Sequence, residues 1–245
     1  MVGDRFLHDT RRPTAIARHE PRHTAVGLTF PLPTYVRTVY VVTHPESTHH
    51  VDHLVGGWYD SALTPAGLRD AEAIAAAVRA RIPADAEVEL YSSDLRRTAQ
   101  TAGALAARLG VVATLDDRLR EKSYGEAGGR PQRWLDDRFR PPPPVGDRMN
   151  HDEGIPGAET KAALAHRIYT VMDDILTSDC RHQVIVTHGG ALTFVLTSWI
   201  RMPLESAGYA HFHATPGGIT ELREDPYFHN RRIHTLDDTR HLAPR

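Results

Sequence analysis

Two short runs of β-branched residues end in the same way, and this repetition constrains the fold more than any other feature of the sequence. Residues 36–42 lead into Thr43-His44, and residues 183–187 lead into His188. Runs that are apolar at successive positions are typical of strands buried on both faces, as in parallel sheets covered by helices. The sequence therefore predicts two central strands, each with a histidine at its carboxyl end.

Helical patterns separate these strands. Thr64 and Pro65 are typical of a helix start, and apolar residues then repeat at helical spacing up to Pro83; they are Leu68, Ala71, Ala75, Val78 and Ile82. A strand is predicted over 88–91, a helix capped by Ser93 runs to about Leu109, and further helices are predicted over about 160–176 and 191–200. This alternation favours an α/β fold: a three-layer sandwich with a mostly parallel central sheet and helices on both faces.

The composition excludes several classes of function. The 245 residues carry 29 Lys and Arg against 31 Asp and Glu, a formal net charge of −2, which gives no broad attraction for nucleic acid or an anionic membrane. The one cysteine, Cys180, excludes an intrachain disulfide and a cysteine-based zinc site. The sequence has no apolar run of membrane-spanning length, so we expect a cytoplasmic protein with a small-molecule partner.

Three regions depart from the regular alternation. Residues 1–35 are rich in Arg and Pro without apolar periodicity, and we expect a flexible N-terminal extension. The remainder, 36–245, is predicted to be one domain. Within it, about 125–156 contain four consecutive prolines from Pro141 and are predicted to form a lid insertion. Short strands are expected over 209–213, 219–222 and 232–235.

Candidate chemistry gathers at the strand ends. Open parallel sheets bind ligands where their strands end, so His44 and His188 can face one pocket. Arg97 follows another strand and lies near a helix start, where backbone N–H groups suit an anion. Taken singly, each is explained by a strand-end histidine bonded to a loop or by a solvated arginine. Together they favour a phosphate site.

A charged turn at residues 119–126 supplies candidate proton donors. Phosphoryl transfer from an ester needs a proton for the leaving oxygen, and a carboxyl group beside a phosphate keeps its proton more readily. Glu121 and Glu126 both meet this need on sequence grounds.

The order of these segments resembles the histidine phosphatase superfamily, with its phosphoglycerate-mutase-like fold, over about residues 37–242. The resemblance is carried by Tyr91-Ser92-Ser93-Asp94-Leu95-Arg96-Arg97-Thr98-Ala99-Gln100-Thr101-Ala102 and by Val186-Thr187-His188-Gly189-Gly190. It implies that His44 accepts the phosphoryl group as phosphohistidine, that Arg97 and His188 hold its oxygens, and that Glu121 protonates the leaving group. It implies no metal and no cofactor.

The nucleophile motif departs from that family. The usual Arg-His-Gly reads Thr43-His44-Pro45 here, and His50 and Leu54 stand where asparagine and arginine are common. Losing a charge-assisted hydrogen bond to phosphate costs on the order of 1.5–3 kcal/mol. Nearby donors are candidates to replace it; the predicted substrate-binding residues are Thr43, His50, Gly57, Lys122 and Gly189, with His49 and His53 also close in sequence.

Several functions stay open at this point. The leading prediction is a phosphomonoester hydrolase for a small phosphorylated metabolite. The alternatives are a relative that binds a phosphorylated ligand without turnover and, less favoured because the 125–157 segment is short, a phosphomutase. The cluster His49-His50-Val51-Asp52-His53 also raises a metal site, although its spacing fits no helix-borne motif.

Overall fold

The computed structural model describes residues 37–225 and 227–243, so the extension predicted for residues 1–35 lies outside the described residues. The strands are β1 (Arg37–Thr43), β2 (Val88–Ser92), β3 (Ala113–Leu115), β4 (His182–Thr187), β5 (Ile219–Glu224) and β6 (Arg231–Asp238). The α-helices are α1 (Thr48–Val51), α2 (Pro65–Arg79), α3 (Arg96–Leu109), α4 (Gln132–Asp136), α5 (Lys161–Thr177), α6 (Gly189–Trp199) and α7 (Leu204–Ala207).

The strands form one mixed sheet in the order β3-β2-β4-β1-β5-β6. Strand β4 pairs in parallel with both β1 and β2, β3 pairs in parallel with β2, and β5 and β6 are antiparallel. Thr43 lies opposite Thr187 in the register, so the residues that follow them leave the sheet side by side. This register brings His44 and His188 to one edge.

Two apolar cores lie on opposite faces of the sheet, which confirms the predicted three-layer α/β architecture. Val39 and Val41 of β1 belong to the core with α5 and α6. Tyr40 and Val42, the alternate residues, belong to the core with α2 and α3. Side chains of successive strand residues point to opposite faces, so a strand that is apolar throughout serves both cores.

The start of α2 agrees with the sequence, but its end does not. The Thr64 hydroxyl accepts a hydrogen bond from the backbone N–H of Gly67, and Pro65 is the first helical residue. The helix ends at Arg79, before Ile82. Leu68, predicted on the apolar face, is 45% exposed because the buried stripe runs along the neighbouring line of residues; that stripe is Gly67, Ala71, Ile74, Ala75 and Val78.

Two other predictions of local structure are wrong. Helix α3 begins at Arg96 rather than directly after Ser93, and Ser93 does not cap it, because the extended backbone continues to the N-cap residue Leu95. The Ser93 hydroxyl contacts His188 Nε2 at 2.9 Å. The predicted end at Gly110 is right, since this glycine takes the left-handed conformation (φ 73°) that terminates helices. Residues 209–213 form no strand and lie in a loop before β5.

The segment 125–156 contains a 3₁₀ turn (Gly125–Ala127) and α4. It packs around a small apolar cluster of its own, which we call the lid cluster: Val55, Ala127, Leu135 and Ile155. Val55 reaches this cluster from the loop after α1, so the segment and that loop form one wall.

None of the helices in the described ranges has the length and apolar character needed to cross a bilayer.

Candidate active site

His44 follows β1 directly and is almost completely buried. Its Nδ1 lies 2.9 Å from the carbonyl oxygen of Pro45, and its Nε2 accepts a hydrogen bond from Arg97 Nε at 3.1 Å. A guanidinium only donates, so Nε2 carries the lone pair and Nδ1 carries the proton that goes to Pro45. Burial, and then the charge of Arg97, hold the pKa of His44 well below its ordinary value. The imidazole is therefore neutral, with its lone pair on Nε2.

Arg97 is the second residue of α3, and its side chain is 1% exposed. Its two terminal nitrogens each donate to a carbonyl oxygen, those of Tyr59 (2.8 Å) and Gly57 (2.6 Å). Burial lowers the pKa of Arg97 to about 10, so the group stays cationic at neutral pH. The loop at 57–59 thus holds a fixed positive charge against His44.

His188 caps the start of α6 and is fully buried, with its ring centroid 5.1 Å from that of His44. Its Nε2 contacts the Ser93 hydroxyl, and its Nδ1 is a buried polar atom with no hydrogen-bond partner. Such unpaired atoms are rare in folded proteins because their desolvation is not offset. Burial, then Arg97 and His44, hold the pKa of His188 well below its ordinary value.

Glu121 is the carboxylate that the fold brings to these groups. Its Oε2 accepts from the backbone N–H of Gly190 and its Oε1 from that of Lys122, both at 2.8 Å. A Cβ on Gly190 would lie 2.5 Å from Oε1, so only glycine leaves room for this carboxylate. Glu126, the other sequence candidate, is exposed and lies outside the cavity lining.

Arg167 of α5 holds the loop that carries Glu121, and sequence reasoning missed it. Its guanidinium donates to the carbonyl oxygens of Arg118, Arg120 and Glu121 at 2.6–2.8 Å and also pairs with Glu159. The second oxygen of Glu159 accepts the backbone N–H of Ser123. No local motif marks this arginine, because the three carbonyl groups that it holds lie more than 40 positions away along the chain.

Two further imidazoles border His44. His50 stacks on it, with centroids 5.5 Å apart and planes 17° apart, and the Ser47 backbone N–H donates to His50 Nδ1. His49 Nδ1 contacts the hydroxyls of Ser47 and Ser61, and burial lowers the pKa of His49 to about 3. Across residues 37–225 and 227–243, no group of three or more His, Cys, Asp or Glu is arranged to hold a metal.

The remaining predicted substrate-binding residues are placed differently from one another. Thr43 lines the cavity, but its hydroxyl donates to the Thr215 carbonyl oxygen at 2.7 Å. Lys122 Nζ lies 2.6 Å from Glu153 Oε2 in a buried pair, and Lys122 is not part of the cavity lining. Gly57 and Gly189 both border the cavity.

Most of the candidate site residues border one cavity of about 450 Å³. Its catalytic end holds His44, Arg97, Glu121 and Gly189, and its outer wall comes from the loop after α1 and from the 125–156 segment. The outer wall consists of His53, Leu54, Val55, Gly56, Tyr124, Gln132 and Leu135. Of the four groups that the sequence placed around one oxyanion, His188 alone does not border this space, although its ring contacts that of His44.

The buried neutral histidines make stability depend on pH. The pKa values of His44, His49 and His188 are lowered in the folded protein, so below about pH 6.5 the unfolded chain binds protons that the folded chain does not. We expect each to cost about 1 kcal/mol as the pH falls from about 6.5 to 5.5. Urea unfolding at pH 7.5 and 5.5 measures this loss. His49→Gln should lose less than the wild type over this interval, and an equal loss would contradict a neutral His49.

Proteins of similar sequence align with most of this chain. It is 29% identical over 211 residues to the "Probable phosphoglycerate mutase GpmB" of Yersinia pestis (strain Pestoides F), a match that covers 83% of this chain and 94% of that protein. The protein of the same name from Yersinia pseudotuberculosis (serotype O:1b, strain IP 31758) matches to the same extent.

Solved structures share the fold. A mycobacterial glucosyl-3-phosphoglycerate phosphatase in complex with VO3 superposes with a TM-score of 0.68 at 22% identity, covering 83% of this chain and all of that one. YhfR of Bacillus stearothermophilus superposes with a TM-score of 0.67 at 21% identity, covering 84% and 99%. The family model of the histidine phosphatase superfamily (branch 1) matches residues 39–237, which contain all four groups described above. The chain therefore belongs to the histidine phosphatase superfamily.

Proposed function

We propose that this protein hydrolyses a small phosphomonoester through a phosphohistidine formed at Nε2 of His44. One observation carries the proposal: the Pro45 carbonyl holds the proton of His44 on Nδ1, so the Nε2 lone pair faces Arg97 at the catalytic end of the cavity. A neutral imidazole is a competent nucleophile, and a fixed guanidinium beside it offsets the charge of a transferring phosphoryl group.

The reaction has two steps. In the first, Nε2 of His44 bonds to phosphorus, the ester P–O bond breaks, and the leaving oxygen takes a proton from Glu121. In the second, Glu121 accepts a proton from water, the water oxygen bonds to phosphorus, and the P–N bond breaks to release phosphate. Arg97 exchanges its bond to Nε2 for one to a phosphoryl oxygen.

Thr43 replaces the motif arginine of the family, so another side chain has to make the contact of that arginine with the phosphate. The Thr43 hydroxyl is committed to Thr215, and Lys122 is committed to Glu153. His50 stacks on the nucleophile, and its Nδ1 accepts from the Ser47 backbone N–H, so Nε2 is the ring nitrogen that carries a proton. We propose His50 as the replacement donor.

A second candidate function is supported by the same geometry. Arg97 Nε occupies the lone pair of His44 Nε2, which favours a protein that binds a phosphorylated ligand without turnover unless the ligand draws the guanidinium away. Saturable phosphate binding without any turnover would favour this candidate.

Leaving-group dependence tests the hydrolase. We expect turnover of 4-nitrophenyl phosphate and phenyl phosphate with chelator present. In Glu121→Gln, kcat/KM for phenyl phosphate should fall about 100-fold and that for 4-nitrophenyl phosphate less than tenfold, because only the poorer leaving group needs the proton. Glu126→Gln is the control and should leave both rates unchanged. Equal slowing of both esters would remove Glu121 from this role.

A further inference from the structure

We propose that the leaving group of the substrate carries no second ionised group and is bound through an apolar portion against the outer wall of the cavity. This inference rests on the proposed function, because it places the phosphoryl group at His44. It separates this protein from the phosphoglycerate chemistry in the names of its relatives, since phosphoglycerate carries a carboxylate besides its phosphate.

The first support is the distribution of fixed cations. Among the residues that the structure describes, Arg97 is the only Lys or Arg that borders the cavity. It lies at the phosphoryl end, against His44, where the phosphate itself takes its charge. A carboxylate on the leaving group would need a second cation, because burying an unpaired charge is expensive.

Lys122 is the nearest sequence candidate for that second cation, and the fold commits it elsewhere. Its Nζ forms the buried ion pair with Glu153 and lies 4.5 Å from the centroid of the Tyr124 ring. Tyr124 borders the cavity, whereas Lys122 does not.

Part of the outer wall is apolar, beside the polar side chains of His53 and Gln132. Leu54, Val55 and Leu135 border the cavity, and Val55 and Leu135 belong to the lid cluster. Gln132, at the start of α4, is a neutral polar group on this wall. A ring or short alkyl group packed here loses water from apolar surface, which is favourable.

Three phosphonates test this inference without requiring turnover: phenylphosphonate, 4-carbamoylphenylphosphonate and 4-carboxyphenylphosphonate. The amide and the carboxylate have nearly the same shape and differ in charge. We expect calorimetry on the full chain at pH 8, where exposed histidines are neutral, to give similar Kd values for the first two and a Kd at least about tenfold higher for the carboxylate.

Two variants add a cation to the wall. Leu54→Arg and Gln132→Lys replace a half-buried and an exposed residue, so neither places a new charge in a core. We expect each variant to lower the ratio of the carboxylate Kd to the amide Kd at least threefold. Leu236→Lys, which adds the same charge on the exposed face of β6, should leave this ratio of Kd values unchanged.

The outcomes separate the inference from the proposed function. Equal Kd values for amide and carboxylate in the wild type, or no binding of any phosphonate, would overturn the inference. Binding in the expected order without hydrolysis of phenyl phosphate would uphold the inference for the ligand and overturn the hydrolase. Hydrolysis of phenyl phosphate together with equal Kd values for amide and carboxylate would uphold the hydrolase and overturn the inference.

Discussion

Replacing His44 with alanine is expected to lower phosphate release from phenyl phosphate by about 10³-fold or more, because no covalent intermediate can then form. The fold should survive, since the imidazole bonds only to Pro45 and Arg97 and its removal frees Arg97 without leaving a buried charge alone: Tyr59 and Gly57 still accept its other N–H groups. Phosphate release and thermal unfolding, measured on the same sample, separate loss of chemistry from loss of structure.

A matched substitution at an exposed histidine controls for the loss of an imidazole. His234 lies on β6 outside the cavity lining, and His234→Ala should keep the wild-type rate. Acid-labile phosphate bound to the wild type during turnover, and missing from His44→Ala, would place the intermediate on this residue. Undiminished turnover in His44→Ala would assign the nucleophile to another group.

The second large effect is on stability. Lys122 and Glu153 are 8% and 9% exposed and form a 2.6 Å ion pair. Lys122→Met leaves the Glu153 carboxylate buried without its partner, which we expect to cost about 3–5 kcal/mol in the free energy of unfolding. For a domain of this size that corresponds to a fall in Tm of roughly 10 °C. Calorimetric or urea unfolding at pH 7.5 measures it.

A double-variant cycle separates the charge from the packing. Lys122→Met combined with Glu153→Leu removes both charges and should recover most of the lost stability, because replacing a buried pair with apolar groups is often neutral. Below the Tm, Lys122→Met should keep KM for 4-nitrophenyl phosphate within threefold. A tenfold rise in KM with unchanged stability would return Lys122 to substrate binding, as the sequence predicts.

The sequence predicts the sheet and the meeting of its strand ends because both follow from local patterns. The apolar runs before His44 and His188 define strands that must be central, and central parallel strands end at one edge. The placement of Arg97 follows from the same rule, although α3 starts later than Ser93 implies. Leu95 is the N-cap residue, and the hydroxyl of Ser93 contacts His188 Nε2 as well as the backbone N–H of Leu95.

The contacts that decide the roles of individual residues were beyond the sequence because their partners are remote. Thr43 bonds to Thr215 and Lys122 pairs with Glu153, and neither partner is marked by a nearby motif. The choice between Glu121 and Glu126 depends on the backbone N–H of Gly190, which only the folded chain brings close. The outer wall likewise depends on how Val55 and Leu135 meet across two loops.

The clamp formed by Arg167 sets an unusual demand on one position of an otherwise ordinary helix. Between Glu159 and three carbonyl oxygens it engages all three of its nitrogens, and a lysine has one nitrogen with three protons. An Arg167→Lys substitution would therefore keep the positive charge but lose several of these hydrogen bonds. Arg167 thus fixes the loop of Glu121 against α5, so the position of a carboxylate in the cavity depends partly on a residue that does not border the cavity.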